Sequence, residues 1–201
     1  MVATMTTQGR ISHHLDLYHY WLVKRGRRAM PARRDIDPAD IPALLPYLSL
    51  VHNVCGEFRF RLFGSAIARA IGRDMTGAVL GSGVSSAPEP IAAAQAMSER
   101  VFTSARPVFA TAQYETKWGT IHNSSGLFLP LSDNGTHVDI SIVTRVTCFP
   151  SDAIASRDWL EGAPLKIGDV VNIDDAADLE RHCLDWQCGA TPLYHPRRST
   201  L

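Results

Sequence analysis

The sequence lacks several features that would have narrowed its function at once. It has no net charge, because 20 Lys and Arg balance 20 Asp and Glu over 201 residues. A chain so balanced has no broad electrostatic grip on nucleic acid, and no nucleic-acid partner is expected. The basic runs "KRGRR" (Lys24 to Arg28) and Arg33–Arg34 lie in one connection and read as a solvated loop. No window reaches the ~18 apolar residues of a membrane span. The opening "MVATMTTQGRISHH" has no apolar core of a secretory signal. These absences predict a cytoplasmic location with no membrane partner. Cysteine is scarce: Cys55, Cys148, Cys183 and Cys188 form no CxxC pair. A chain of this size needs no disulfide staples, so reduced thiols are expected. The C-x4-C of Cys183 and Cys188 lacks further ligands at a zinc-finger spacing.

Catalytic motifs are missing too. There is no GxSxG around a serine. "GSGVSS" (Gly81 to Ser86) lacks the lysine and helix of a phosphate loop and reads as a flexible loop. His13, His14 and His19 do not make HExxH and read as solvent-facing histidines on an amphipathic helix. His122, His137 and Asp139 would serve as a two-histidine, one-carboxylate metal site only if strands brought them to one face. No metal and no enzyme is required by this pattern.

What is present is a single domain's worth of chain. Hydrophobic residues make up 45%, enough for a packed core. Residues 1–11 read as disordered. A helix is predicted over Ser12 to Arg25, with Leu15, Tyr18, Trp21 and Leu22 on one stripe that must bury against the domain or a second copy. "DIDPADIPALLP" carries a capping Asp37, Pro38 at the first helical position and Pro46 as a stop. Leu48 to Val54 and Phe58 to Phe63 read as a hairpin around "CGE". In the second strand Phe58, Phe60 and Leu62 share one face and Arg59 and Arg61 the other, the pattern of a sheet wet on one side. Ser65 caps a short helix, Ala66 to Ile71, and a longer one follows over Glu89 to Ser104. Three more strands are predicted: Pro107 to Trp118, Ile121 to Leu131, and one after the "SDNGT" turn through Val138, Ile140, Ile142 and Val146. At Cys148 to Ala153 the composition breaks, and residues 148–201 read as a C-terminal extension with an extended segment, "PLKIGDVVNID", and a helix, "DAADLERHCLDW". The predicted class is α+β, an antiparallel sheet with helices across a face.

The step "FRFRLFGSAI" and the loop "IGRDMTG", together with "YHYWLVKRG" and "DIDPADIPALLPYL", resemble a bacterial subfamily of small stand-alone PAS domains. The resemblance spans roughly residues 15–147 and puts the domain at 12–147. It implies a five-stranded antiparallel sheet, a helical wall, and a small-molecule or signalling pocket between them. It also implies dimerisation through the N-terminal helix, with Leu15, Tyr18, Trp21 and Leu22 as the seam, and output through a protein partner. The flavin photoadduct and chromophore chemistries of this family need a helix cysteine, and haem needs an axial ligand such as a helix histidine. Neither predicted pocket helix has one, so flavin adduct and haem are not expected.

Strand parity supplies a candidate ligand site. With Leu48 and Leu50 inward, so is His52; with Ala112, Tyr114; with Leu127, Asn123 and Ser125. Phe60, Leu62, Ile67, Ile71, Ile140 and Ile142 complete an apolar cavity with convergent polar groups, which is how ligand sites are built. The competing reading is that these polar groups satisfy one another. Three functions follow as expectations: a PAS sensor of an unidentified small molecule, a ligand-free interaction module, or a small α+β enzyme with Asp139 or His52 as base.

Overall fold

The computed structural model describes residues 7–71, 73–80, 89–115, 121–148 and 165–188. Its order is α1 (Thr7–Arg25), three 3-10 turns, β1 (Leu48–Val54), β2 (Glu57–Phe63), α2 (Ser65–Ile71), β3 (Val79–Leu80), α3 (Glu89–Ser104), β4 (Val108–Glu115), β5 (Ile121–Leu131), β6 (Ile140–Cys148), β7 (Leu165–Asn172) and α4 (Ala176–Cys188). All seven strands form one antiparallel sheet in the order β3-β2-β1-β6-β5-β4-β7. The five expected strands are its centre, and each edge gains one. The first helix begins at Thr7, so residues 7–11 are helical rather than disordered. Residues 1–6, the Gly81–Ser86 loop and Trp118 lie outside the described residues.

The sheet is covered on both faces, not wet on one. Phe109, Leu127, Leu129, Leu131, Ile140 and Ile142 meet Leu17, Tyr18 and Trp21 of α1 and Leu179 and Cys183 of α4. On the other face Val51, Phe58, Phe60 and Phe63 meet Ile67 of α2 and Ala94 of α3, while Val108, Ala110, Phe128 and Val143 meet Met97 and Val101 of α3. Side chains alternate across a strand, so both parities of the central strands are apolar or small, as double coverage requires.

A β-bulge changes the expected parity in β2. Leu50 pairs with Leu62 and the next residue, Val51, pairs with Phe60, which leaves Arg61 as the extra residue. Phe58 and Phe60 therefore face α2 and α3, whereas Leu62 packs on the α1 side. Cys55 and Gly56 turn the hairpin with φ of 52° and 89°, and Gly56 N–H donates to Asn53 Oδ1.

The stripe of α1 is also shifted from the expected one. His14, Leu17, Tyr18 and Trp21 are buried at i, i+3, i+4 and i+7, while Leu15 and Leu22 flank them half-buried. The Trp21 indole N–H donates to the Pro130 carbonyl at 2.8 Å. Its aromatic face thus lies in the chain's own core.

Residues 165–188 are integral to the fold rather than an appendage. β7 pairs with β4 from Val108↔Asn172 to Tyr114↔Leu165, and α4 packs on α1 with Leu179 and Cys183 buried. Burial raises the Cys183 thiol to about 12, helped by Glu180, so it stays protonated. Cys188 has its side chain outside the described part.

Candidate functional site

Two places in this framework hold polar groups inside apolar surroundings, and they lie on opposite faces of the sheet. The first is on the α1 side. His14 is fully buried, with Nδ1 2.6 Å from Thr144 Oγ1 of β6 and Nε2 2.9 Å from Ser125 Oγ of β5. One nitrogen of a neutral imidazole donates and the other accepts, and each hydroxyl rotates to complement it. Phe109 meets the ring edge-on at 5.7 Å. Burial, with a smaller contribution from His13, lowers the His14 pKa to about 3. The cluster is therefore neutral and closed, and its chemistry is that of a structural pin.

A pH dependence of stability follows. The folded His14 resists a proton that the unfolded chain takes near pH 6.5. The contribution of this group is complete above that pH and is lost as pH falls toward 3. Chemical denaturation between pH 7 and 4 is expected to show stability dropping at up to about 1.4 kcal/mol per pH unit below pH 6, from this group alone. Stability that stays flat from pH 7 to 4 would contradict the burial of a neutral ring.

The second place is on the α3 side. Ala94 and Met97 of α3, Ala110, Thr111 and Ala112 of β4, Ser124, Gly126 and Phe128 of β5, Arg145 of β6 and Ile167 of β7 line a half-open cleft of about 40 Å³, and Ser125, whose hydroxyl meets His14 on the other side, also contributes to its wall. The volume arises from side chains that are too small to fill it. Gly126 is central: a Cβ there would come 2.9 Å from the Phe128 ring, so the bare backbone leaves the ring its place. A water occupies roughly 30 Å³ of liquid, and ligand pockets run to about 300–1,000 Å³.

The predicted ligand residues do not converge on one cavity. Leu62, Ile140 and Ile142 pack on the α1 side, where Ser125 is bound by His14. By register His52, paired with Ile140, also belongs to that side. Phe60 and Ile67 lie in the α2–α3 core, and Ala112 lines the cleft beside α3. Asn123 Oδ1 accepts from the Gln113 amide at 2.7 Å. Ser125 and Asn123 thus have hydrogen-bond partners within the chain. The side chains of Ile71, Tyr114 and His122 lie outside the described part. The physical reason for the split is register: Ala112 pairs with Ser124, not with Asn123 or Ser125, so the inward sets of β4 and β5 face opposite ways.

The proposed enzyme bases stand apart from the cleft. Asp139 Oδ2 accepts from the Asp133 N–H in the β5–β6 turn, and neither Asp139 nor His52 lines the cleft. His137 is exposed in that turn. Among the described residues no group of three His, Cys, Asp or Glu is placed to hold a metal ion. No helix among them is long and apolar enough to cross a membrane.

The site residues that the sequence did not single out are His14, Thr144, Gly126 and Arg145. His14 is buried rather than solvent-facing, as is His13, because it completes an i, i+3, i+4, i+7 set with Leu17, Tyr18 and Trp21. The other three depend on strand register, which the sequence does not display.

The central sheet order β2-β1-β6-β5-β4, the short helix leaving β2 and the long helix lying across β4 to β6 set the frame for comparison. A family model described as PAS domain matches residues 10–143. The chain belongs to the PAS domain family. The match covers α1 and stops within β6, so β7 and α4 are this PAS protein's additions beyond the matched region. No curated protein matches the chain. PAS domains are sensory and interaction modules in general. In this PAS domain the α1 side is filled by its own helices, and the cleft lies on the α3 side.

Proposed function

We propose that this PAS domain is a sensory module that takes a small ligand between α3 and strands β4 and β5, and signals through contacts with a protein partner. The observation that carries this reading is the arc of Ala94, Ala110, Ala112 and Gly126, which keeps space open beside Met97 and Phe128. Met97 has an unbranched, adaptable side chain that can yield to a guest. A ligand favouring one position of α3 would shift the equilibrium between two states by its difference in affinity for them.

A second reading is a ligand-free interaction module, acting as a dimer or on a partner. It is favoured by the volume of about 40 Å³, far below the roughly 300 Å³ at which ligand pockets begin. Leu15 and Leu22 of α1 are half-buried and Val23 is 78% exposed, so a partner surface on α1 would use these rather than Tyr18 and Trp21.

Native mass spectrometry on freshly purified protein, with an absorption spectrum, separates the two. The sensor reading expects a stoichiometric adduct lost on denaturation and absent from an Ala112→Leu variant, whose added methyls fill the cleft. A bare mass in both proteins, with Ala112→Leu as stable as wild type, would sink the sensor reading and favour the interaction module.

A further inference from the structure

Two adjacent histidines, both buried, lie in the first half of α1. His14 points between β5 and β6 onto Ser125 and Thr144. His13 turns toward the connection before β1, its ring 4.2 Å from that of Tyr47. The described groups packed around His14 come from two sides. The sheet supplies the hydroxyls of Ser125 and Thr144 and the ring of Phe109. From α4 comes His182, which stacks on the far neighbour Phe109 at 6.3 Å and has Asp178 at 3.6 Å. The charge that acts on His14 is that of His13, and Asp178 acts on Tyr18 instead. No described carboxylate is placed to stabilise a proton on His14.

The second half of α1 is held by different means. Leu17, Tyr18 and Trp21 are buried in the core, and the polar anchors there are the indole N–H to Pro130, the Tyr20 hydroxyl with Asp37 and Asp40, and the Lys24–Asp40 ion pair, whose carboxyl is held below its ordinary range by Lys24 and Tyr20. Nothing in that set titrates near neutrality. One helix thus has a pH-dependent half and a pH-independent half.

We propose that the first half of α1, up to Asp16, is an acid-released latch: it stays closed on the sheet while His14 is neutral, and comes away when His14 takes a proton, uncovering Ser125 and Thr144. A released imidazole binds protons with its ordinary affinity, near pH 6.5, whereas the closed one resists them. Between pH 7 and pH 5 the open fraction rises roughly 25-fold for one histidine of this kind. Residues 17–25 stay docked because their anchors do not change charge, so the opening is local.

The test is hydrogen–deuterium exchange by mass spectrometry on the full chain at pH 7 and pH 5, corrected for intrinsic exchange rates. Peptides within residues 8–16 are expected to lose protection by roughly 25-fold or more at pH 5, with residues 17–25 and β5 unchanged. A His14→Gln variant, neutral at both values, is expected to lose most of that difference. Equal protection at both pH values overturns the proposal. So does loss of protection that runs through residues 17–25 and β5 together, or a full response in His14→Gln. If His14→Gln does not fold, the wild-type profile decides alone, because a local response and a global or absent one are read from the same peptides.

Discussion

Replacing Gly64 by alanine is expected to cost about 3–5 kcal/mol, near the upper end for a single substitution. Gly64 follows β2 and opens into α2. A Cβ built on it would lie 2.3 Å from the Pro46 carbonyl oxygen and 2.7 Å from that of Leu48. Both atoms are backbone, so no side chain can swing away to relieve the clash. Gly64 also donates its N–H to the Leu48 carbonyl at 2.7 Å, and that bond holds the two segments together. The backbone torsions of Gly64 are not of the left-handed kind; the constraint is close approach. Urea denaturation of the variant is the measurement. A melting temperature lower by roughly 10 °C would agree, given about 2–4 °C per kcal/mol in a protein this size. A loss under 1 kcal/mol would mean that the 3-10 turn at Leu45–Tyr47 yields easily.

Truncating Trp21 should be comparably damaging. Its side chain is 1% exposed, stacked beside Tyr18 with centroids 6.0 Å apart, and bonded to Pro130. Trp21→Ala removes a large buried ring, which typically costs about 3–5 kcal/mol. It also leaves the Pro130 carbonyl without its donor. Trp21→Phe keeps most of the apolar volume and loses the bond, so about 1–2 kcal/mol is expected. Because these contacts lie within one chain, the wild-type melting temperature should not depend on protein concentration through Trp21. A loss below 1 kcal/mol for Trp21→Ala would show that α1 is not seated in the core of its own chain. The pair of variants separates packing from hydrogen bonding, which Ala alone does not.

The elements outside the matched PAS region reach both faces of the sheet. β7 extends the sheet beyond β4, and Ile167 contributes to the cleft beside α3. α4 then crosses to the opposite face and buries Leu179 and Cys183 against α1. One C-terminal segment therefore touches both faces. Arg106 and Asp174 form an ion pair near the start of this segment, while Arg100 donates to the Asn172 side chain from α3. These exposed links contribute little energy singly. They do show that α3, β7 and the approach to α4 are neighbours, so a displacement of α3 has a short path to α4.

Much of the fold could be read from local chemistry. The Asp37 cap is there, accepting from the Ala39 N–H ahead of Pro38, although the turn it starts is a single 3-10 turn. The Cys55–Gly56 hairpin, the break after Phe63, the Glu89–Ser104 helix and the β5–β6 turn are where the sequence places them. The family resemblance was legible in "RFRLFGSAIARAIGRDMTG", a segment in which Gly64 packs against backbone and Gly77 takes a positive φ. The candidate site was much less legible. Asn123 and Ser125 stand out in the sequence as polar residues in an apolar strand, but their partners are Gln113 and His14, side chains 10 and 111 residues away in sequence.

By itself the sequence determined the elements, because capping, turn chemistry and periodicity act over a few residues. It also determined the family, through a continuous motif of strand, glycine and helix. Only the tertiary structure decided which side of the sheet each residue serves. That assignment depends on register: one bulge at Arg61 sends Leu62 and Phe60 to opposite faces, and the Ala112↔Ser124 pairing separates the cleft from the His14 cluster. Burial on both faces erased the usual clue, since apolar residues of either parity look inward when helices cover the sheet from both sides.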